Sequence, residues 1–158
     1  MKIATALAAA TIATAGALGI ASAPPAAATG YPVTQKFGTS EDLVDGAGTI
    51  VQTWTINNLA PSTDTIGWPV RGRLWAADAT VRATRACPEP IVSDFNARAR
   101  NGNTYQHLWA AFAPEAINPR TICQGDQTTG KFYFDVWGEE PDSVVYTALG
   151  QDLLIWVR

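Results

Sequence analysis

The sequence predicts an all-β fold, an antiparallel sandwich or barrel of about eight short strands. Three observations carry this. Segments such as Thr129–Trp137 alternate apolar and polar residues with period two. Turn signals built from Gly, Pro, Asn and Asp recur throughout the chain. No stretch of the exported part holds a 3.6-residue apolar period over three helical turns.

The first 28 residues are set apart from this pattern. Met1-Lys2 is positive, Ile3 to Ile20 is a soft apolar run, and Ala26-Ala27-Ala28 offers the small-x-small cleavage pattern of a signal peptide. Ala21-Ser22-Ala23 competes, but Pro24 would obstruct the cut, so cleavage is expected after Ala28, leaving residues 29–158 as one exported domain. A membrane anchor is the weaker reading. Thr5, Thr11, Thr14, Gly16 and Gly19 interrupt a run barely as long as the roughly 20 residues a bilayer needs. The leader has neither a lipidation cysteine nor paired arginines.

Removing 28 of 158 residues leaves 130, enough for one core. The leader takes Lys2 and no acid, so 10 Lys+Arg face 14 Asp+Glu, a formal charge of −4. That acidity argues against nucleic acid and anionic membrane surfaces as general partners.

The exported elements read as follows. Tyr31–Phe37 is a strand stopped by Gly38. Thr49–Ile56 is a strand rich in β-branched residues around Trp54, ended by turn signals at Asn57-Asn58 and Pro61-Ser62. Val70–Ala86 is long, and its apolar parity switches from Val70, Gly72, Leu74 and Ala76 to Ala79, Val81 and Ala83, which predicts a bulge near Asp78. Ile91–Arg100 and Tyr105–Phe112 form a hairpin across Asn101-Gly102. Pro114 to Pro119 is a loop. In Thr129–Trp137, Phe132, Phe134 and Val136 face one way. Ser143–Ala148 and Asp152–Val157 pair across Gly150.

Cys87 and Cys123 are expected to form a disulfide outside the cell, closing a 37-residue loop and contributing roughly 3–4 kcal/mol. A metal pair or a catalytic thiol is the rival, but a metal site wants four ligands and the chain has one histidine. Both cysteines sit at strand ends or loops, so the bridge reads as a staple between loops.

Blocks along the chain resemble the major secreted immunogenic protein family of mycobacteria. They are Tyr31-Pro32, Pro69-Val70, Phe95-Asn96-Ala97-Arg98, Leu108-Trp109, Thr129-Gly130-Lys131, Tyr133-Phe134-Asp135-Val136 and Asp152-Leu153-Leu154-Ile155-Trp156. The resemblance spans about Tyr31 to Trp156. It implies an immunoglobulin-like β-sandwich, export and recognition by a host immune system, with no catalytic residues or cofactor to carry over. The cysteine pair departs from the family pattern.

Chemistry-bearing residues are sparse. His107 is the only histidine and lies mid-strand with no nucleophile motif beside it. Glu41, Asp42 and Asp45, and Glu139, Glu140 and Asp142, read as solvated turn carboxylates rather than a calcium loop or glycosidase pair. Arg71, Arg73, Arg82 and Arg85 offer a basic stripe or, more plainly, a solvated strand face. Trp54, Trp75, Trp109 and Trp156 fit strand packing, whereas Trp68 and Trp137 sit at turns and are the candidate binding surface. The expectation is therefore a secreted, extracellular, non-enzymatic binding protein with no cofactor and no metal. Its partner would be an unidentified protein of a host or of the envelope, met through sheet edges or loops, with the host-facing part resting on the resemblance alone. A hydrolase of cell-envelope material and a lipid or small-ligand carrier are the alternatives.

Overall fold

The computed structural model describes residues 30–158; the leader and its cleavage site lie outside the described residues. Nine strands follow: β1 Val33–Lys36, β2 Ser40–Val44, β3 Ile50–Pro61, β4 Arg73–Ala83, β5 Phe95–Arg98, β6 Thr104–Gln106, β7 Gln127–Val136, β8 Ser143–Ala148 and β9 Gln151–Val157. They form a five-stranded sheet, β1-β9-β8-β5-β6, against a four-stranded sheet, β2-β3-β4-β7. All pairings are antiparallel except β1 on β9, which is parallel. The expected β-sandwich is thus present, with nine strands in place of about eight.

Inward-facing side chains of the two sheets fill the space between them. Trp54 and Ile56 of β3, Trp75, Ala77, Ala79, Val81 and Ala83 of β4, and Phe132, Phe134 and Val136 of β7 meet Phe95, Ala97, Val144, Tyr146, Leu154 and Trp156. The centre is aromatic: Phe95 lies 4.4 Å from Phe132, 4.7 Å from Trp54 and 4.9 Å from Tyr146, ring centre to ring centre. Such pairs add about 0.5–1.5 kcal/mol each beyond the area they bury. On the outer face of the five-stranded sheet, Arg98 of β5 bonds both carboxylate oxygens of Asp152 in β9, at 2.5 and 2.7 Å, spanning β8.

Four sequence expectations need correction. Glu41 and Asp42, expected as solvated turn residues, lie instead on β2, which pairs with β3 and buries Glu41. β3 does not stop at Asn57-Asn58 but continues to Pro61, absorbing them in a register shift between Asn57 and Ala60. The bulge therefore lies on β3, opposite Asp78 and Ala76, while β4 pairs with β7 without interruption. The buried parity of β4 is Trp75, Ala77, Ala79, Val81 and Ala83 throughout, because the indole of Trp75, not Leu74, claims the core. The partner strand of the Asn101-Gly102 hairpin ends at Gln106. Gly102 takes the left-handed backbone, φ +91, and Ala99 and Asn103 close the loop.

The edges are managed locally. The Tyr31 hydroxyl accepts from the Val44 N–H at 2.7 Å and donates to the Asp42 carbonyl at 3.2 Å, occupying the free edge of β2. Residues 115–117 run along β7, with Ile117 N–H donating to Lys131 and Lys131 N–H to Glu115. A Cβ on Gly130 would lie 2.4 Å from Ile117 Cα, so this approach requires glycine. The Cys87–Cys123 disulfide is formed and joins two exposed loops beyond the ends of β4 and β7. Backbone bonds from Ile122 to Pro88 and Gln124 to Ala86 flank it.

Candidate functional site

The β3–β4 loop, residues 62–72, organises the most chemically distinctive surface. It crosses the outer face of the four-stranded sheet, where its Asp64 carboxylate accepts from Lys131 Nζ at 2.8 Å and from the Tyr133 hydroxyl at 2.9 Å. Lys131 also contacts Glu115. Lys131 and Tyr133 are two apart on β7 and so share its outer face. The bonds from Lys131 and then Tyr133 hold the Asp64 carboxyl below the usual carboxylate range. Asp64 first, then Glu115, push the Lys131 ammonium above its ordinary value. Burial and then Asp64 push the Tyr133 phenol up as well. All three are therefore locked in one protonation state near neutrality and act as a tether. A polar cleft of about 250 Å³ lies beside it, lined among others by Asn58, Ser62, Asp78 and Lys131.

Beyond Asp64 the loop reaches two aromatic sites. Gly67 bridges Phe112, its N–H donating to the Phe112 carbonyl, which brings half-exposed Trp68 beside the β6–β7 loop. Phe112 is 80% exposed. At its other end, Arg71 N–H and Gly72 N–H donate to the Asp135 carboxylate at 2.9 and 2.8 Å. A Cβ on Gly72 would fall 2.0 Å from the Val136 carbonyl oxygen, so only glycine permits this contact next to Trp137. Trp137 is largely exposed, with Tyr105 edge-on to it at 5.9 Å. One loop thus contacts the surroundings of both Trp68 and Trp137, the two tryptophans singled out from sequence.

Trp109 corrects an expectation. The expectation is strand packing, in the core or at a sheet edge, but its side chain is 63% exposed on a loop. The chain leaves the β6 ladder after Gln106, Leu108 N–H turns to the Tyr133 carbonyl, and a tight turn from Leu108 to Ala111 swings the indole outward. Trp109, Ile91, Pro90, Val92 and Pro119 line an apolar groove of about 320 Å³; Pro90 lies three residues after Cys87 and Pro119 four before Cys123. Trp54, Trp75 and Trp156 are buried as expected.

The remaining candidates do not converge. His107 is buried, with Nδ1 2.9 Å from the Val92 carbonyl oxygen and its ring 4.6 Å from Phe132. Burial pulls its pKa down to about 4, so it is neutral at pH 7. Asp42 accepts from Thr53 and Asp45 from the Ala47 and Thr49 N–H groups, while Glu41 is buried and turned away from both. It is not the solvated turn residue expected. Asp142 pairs with Arg100 and Glu140 with Arg73. No group of three or more His, Cys, Asp or Glu suited to a metal occurs among the described residues. Arg73 and Arg82 have opposite parity at the two ends of β4, and Arg71 and Arg85 lie outside it, so they form no single stripe. No helix among the described residues is long and apolar enough to cross a membrane.

Fold and surface together define a small all-β sandwich with a filled interior and its exposed aromatic chemistry on loops. The chain belongs to the family described as a domain of unknown function, DUF1942, whose model matches residues 32–156. It is 45% identical over 135 residues, 85% of each chain, to immunogenic protein MPB63 of Mycobacterium bovis and to immunogenic protein MPT63 of Mycobacterium tuberculosis. The crystal structure of MPT63, described as a secreted protein, superposes with a TM-score of 0.77 at 45% identity, covering 82% of this chain and 99% of that one. The resemblance read from the sequence blocks, and the fold it implied, are thereby confirmed.

Proposed function

We propose that this protein is an exported, non-enzymatic binding protein that meets a protein partner, of a host or of the cell envelope, through the aromatic residues of its β3–β4, β6–β7 and β7–β8 loops. The observation that carries this is the exposure of Trp68, Trp109, Phe112 and Trp137 on loops grouped around the β3–β4 loop, which Asp64 and Asp135 tie to the sheet and Gly67 bonds to Phe112. Exposed aromatics on a fixed scaffold are the side chains that dominate binding energies at protein interfaces. Export and immunogenicity come from the relatives, which are named immunogenic or secreted proteins. The interior supports surface binding over carriage of a lipid, since aromatic side chains occupy the space between the sheets. The burial and lowered pKa of His107 weigh against a hydrolase built on it.

The test is equilibrium binding of the labelled exported form to intact host cells and, separately, to isolated envelope. Saturable binding is expected in one of the two. A Trp68→Ala/Trp109→Ala/Phe112→Ala/Trp137→Ala variant with unchanged melting temperature should bind at least about tenfold more weakly. Equal binding by that folded variant, or saturable binding to neither preparation, refutes the proposal.

A further inference from the structure

The two sheets meet along a seam where β2 faces β9, and two polar side chains are buried there without full hydrogen bonding. Glu41 is 3% exposed and neither carboxyl oxygen has a hydrogen-bond partner. Gln52 is also buried; its Oε1 accepts from Trp54 Nε1 at 3.1 Å, but its Nε2 has no partner. In the ladder Glu41 stands opposite Trp54 and Leu43 opposite Gln52, so Glu41 and Gln52 are diagonal neighbours on the inward face. A buried carboxyl without a partner is tolerated as the neutral acid and strongly penalised as the anion.

No compensating charge reaches Glu41. It has no salt bridge with Lys, Arg or His among the described residues. β3 carries no charged residue. On β2 itself, Asp42 lies on the outer face, bonded to Thr53. From β9, the Ile155 N–H pulls the other way, second to burial, without meeting hydrogen-bond geometry. Asp152 of that strand is held by Arg98, and Arg158, just after it, donates to the Leu59 carbonyl. Lys36, at the end of β1, is exposed. The remaining titratable neighbour is the Tyr31 phenol, whose own ionisation Glu41 opposes. Burial accordingly pushes the Glu41 carboxyl up to about 7.

β2 is also the element best placed to yield. It is an edge strand of five residues. Beyond its β3 ladder, the Tyr31 hydroxyl, which donates to the Asp42 carbonyl and accepts from the Val44 N–H, and the bond from Trp156 Nε1 to the Thr39 carbonyl at 2.9 Å hold its outer side. Opening the seam hydrates Glu41 at the loss of those few bonds, leaving the β3–β4–β7 ladder intact. We propose that the β2–β9 seam is a proton-operated latch, closed while Glu41 is a carboxylic acid and loosened when it becomes a carboxylate.

Hydrogen exchange followed by NMR at pH 5.5 and pH 8.5, corrected for intrinsic rates, tests this. A carboxyl that titrates near 7 when closed and near 4.5 when open raises the open population about 30-fold between those pH values. Protection should fall by that factor at the Val44 amide and the Trp156 indole N–H, the two donors whose bonds the opening breaks, while β4 and β7 amides stay unchanged. In Glu41→Leu the seam should lose its pH dependence. Glu41→Gln, which keeps the shape and cannot ionise, provides the same comparison if the leucine variant folds poorly. Seam protection independent of pH in the wild type, an equal fall in the Glu41 variants, or a fall spread uniformly over all strands overturns the latch.

Discussion

Acidification should destabilise this protein through His107, by an amount that the structure sets. The ring is buried against Phe132 and Phe134, and its Nδ1 is satisfied by the Val92 carbonyl as the neutral tautomer. Its pKa falls from 6.5 to about 4 on folding, chiefly because burial disfavours the cation. Below pH 6.5 the unfolded chain takes up a proton that the folded chain refuses. The stability owed to this group is thus complete above 6.5 and is lost as the pH drops towards 4. A shift of about 2.5 units at 1.36 kcal/mol per unit, half-saturated at the lower end, corresponds to about 3 kcal/mol. The comparison variant is His107→Gln, which retains an amide donor for Val92 and cannot ionise. Urea titrations monitored by tryptophan fluorescence at pH 7.5, 5.5 and 4.0 give the wild-type stability minus that of the variant. This difference should shrink by about 3 kcal/mol across the series. A difference that stays constant within about 0.5 kcal/mol would refute the claim that His107 is held neutral by burial.

Two further outcomes follow from the turns and the bridge. Leu149 is fully exposed and sits at φ +52, followed by Gly150 at φ +77, between the paired residues Ala148 and Gln151. Asn-Gly suits this pair of left-handed positions, so Leu149→Asn should add about 0.5–1 kcal/mol, seen as a melting temperature raised by about 3 °C. An unchanged or lowered value would count against strain at Leu149. The Cys87–Cys123 bridge closes a 37-residue loop, and the paired Cys87→Ser/Cys123→Ser variant should lose about 3–4 kcal/mol in urea titration. A loss below about 1 kcal/mol would show that the loops are already ordered without it.

The sheets were legible where one face is apolar and the other polar. β7, β8 and β9 emerge nearly residue for residue, since Phe132, Phe134 and Val136, or Val144 and Tyr146, alternate with residues of the opposite face. β2 was not legible, because one of its two inward positions is filled by Glu41 and Leu43 alone is too little to show an apolar alternation. β3 hid its second half behind Asn57-Asn58, a turn signal that the fold spends on a bulge. Trp109 shares parity with buried Tyr105 and His107, and nothing local announces that the ladder ends before it. The loop tether was beyond reach for a different reason. Asp64 and Lys131 lie 67 residues apart and meet only once the β3–β4 loop has crossed the sheet. Trp68 and Trp137 were found because each precedes a turn former, Pro69 or Gly138, which is a local signal.

The two buried ionisable groups that the sequence disguised also constrain each other. Glu41 binds its proton more tightly in the folded state, so its contribution is fully present below pH 4.5 and is lost as the pH rises to about 7. His107 binds its proton less tightly, and its contribution is lost as the pH falls from 6.5 to about 4. Each shift is about 2.5 units, so over the shared window their slopes are similar in size and opposite in sign. Within it the interior holds a neutral carboxylic acid and a neutral imidazole, and neither group leaves an uncompensated charge between the sheets. A wild-type stability curve that is nearly flat there is therefore consistent with two strong titrations. Only removal of one partner exposes the other: His107→Gln leaves stability rising towards acid, and Glu41→Gln leaves it falling.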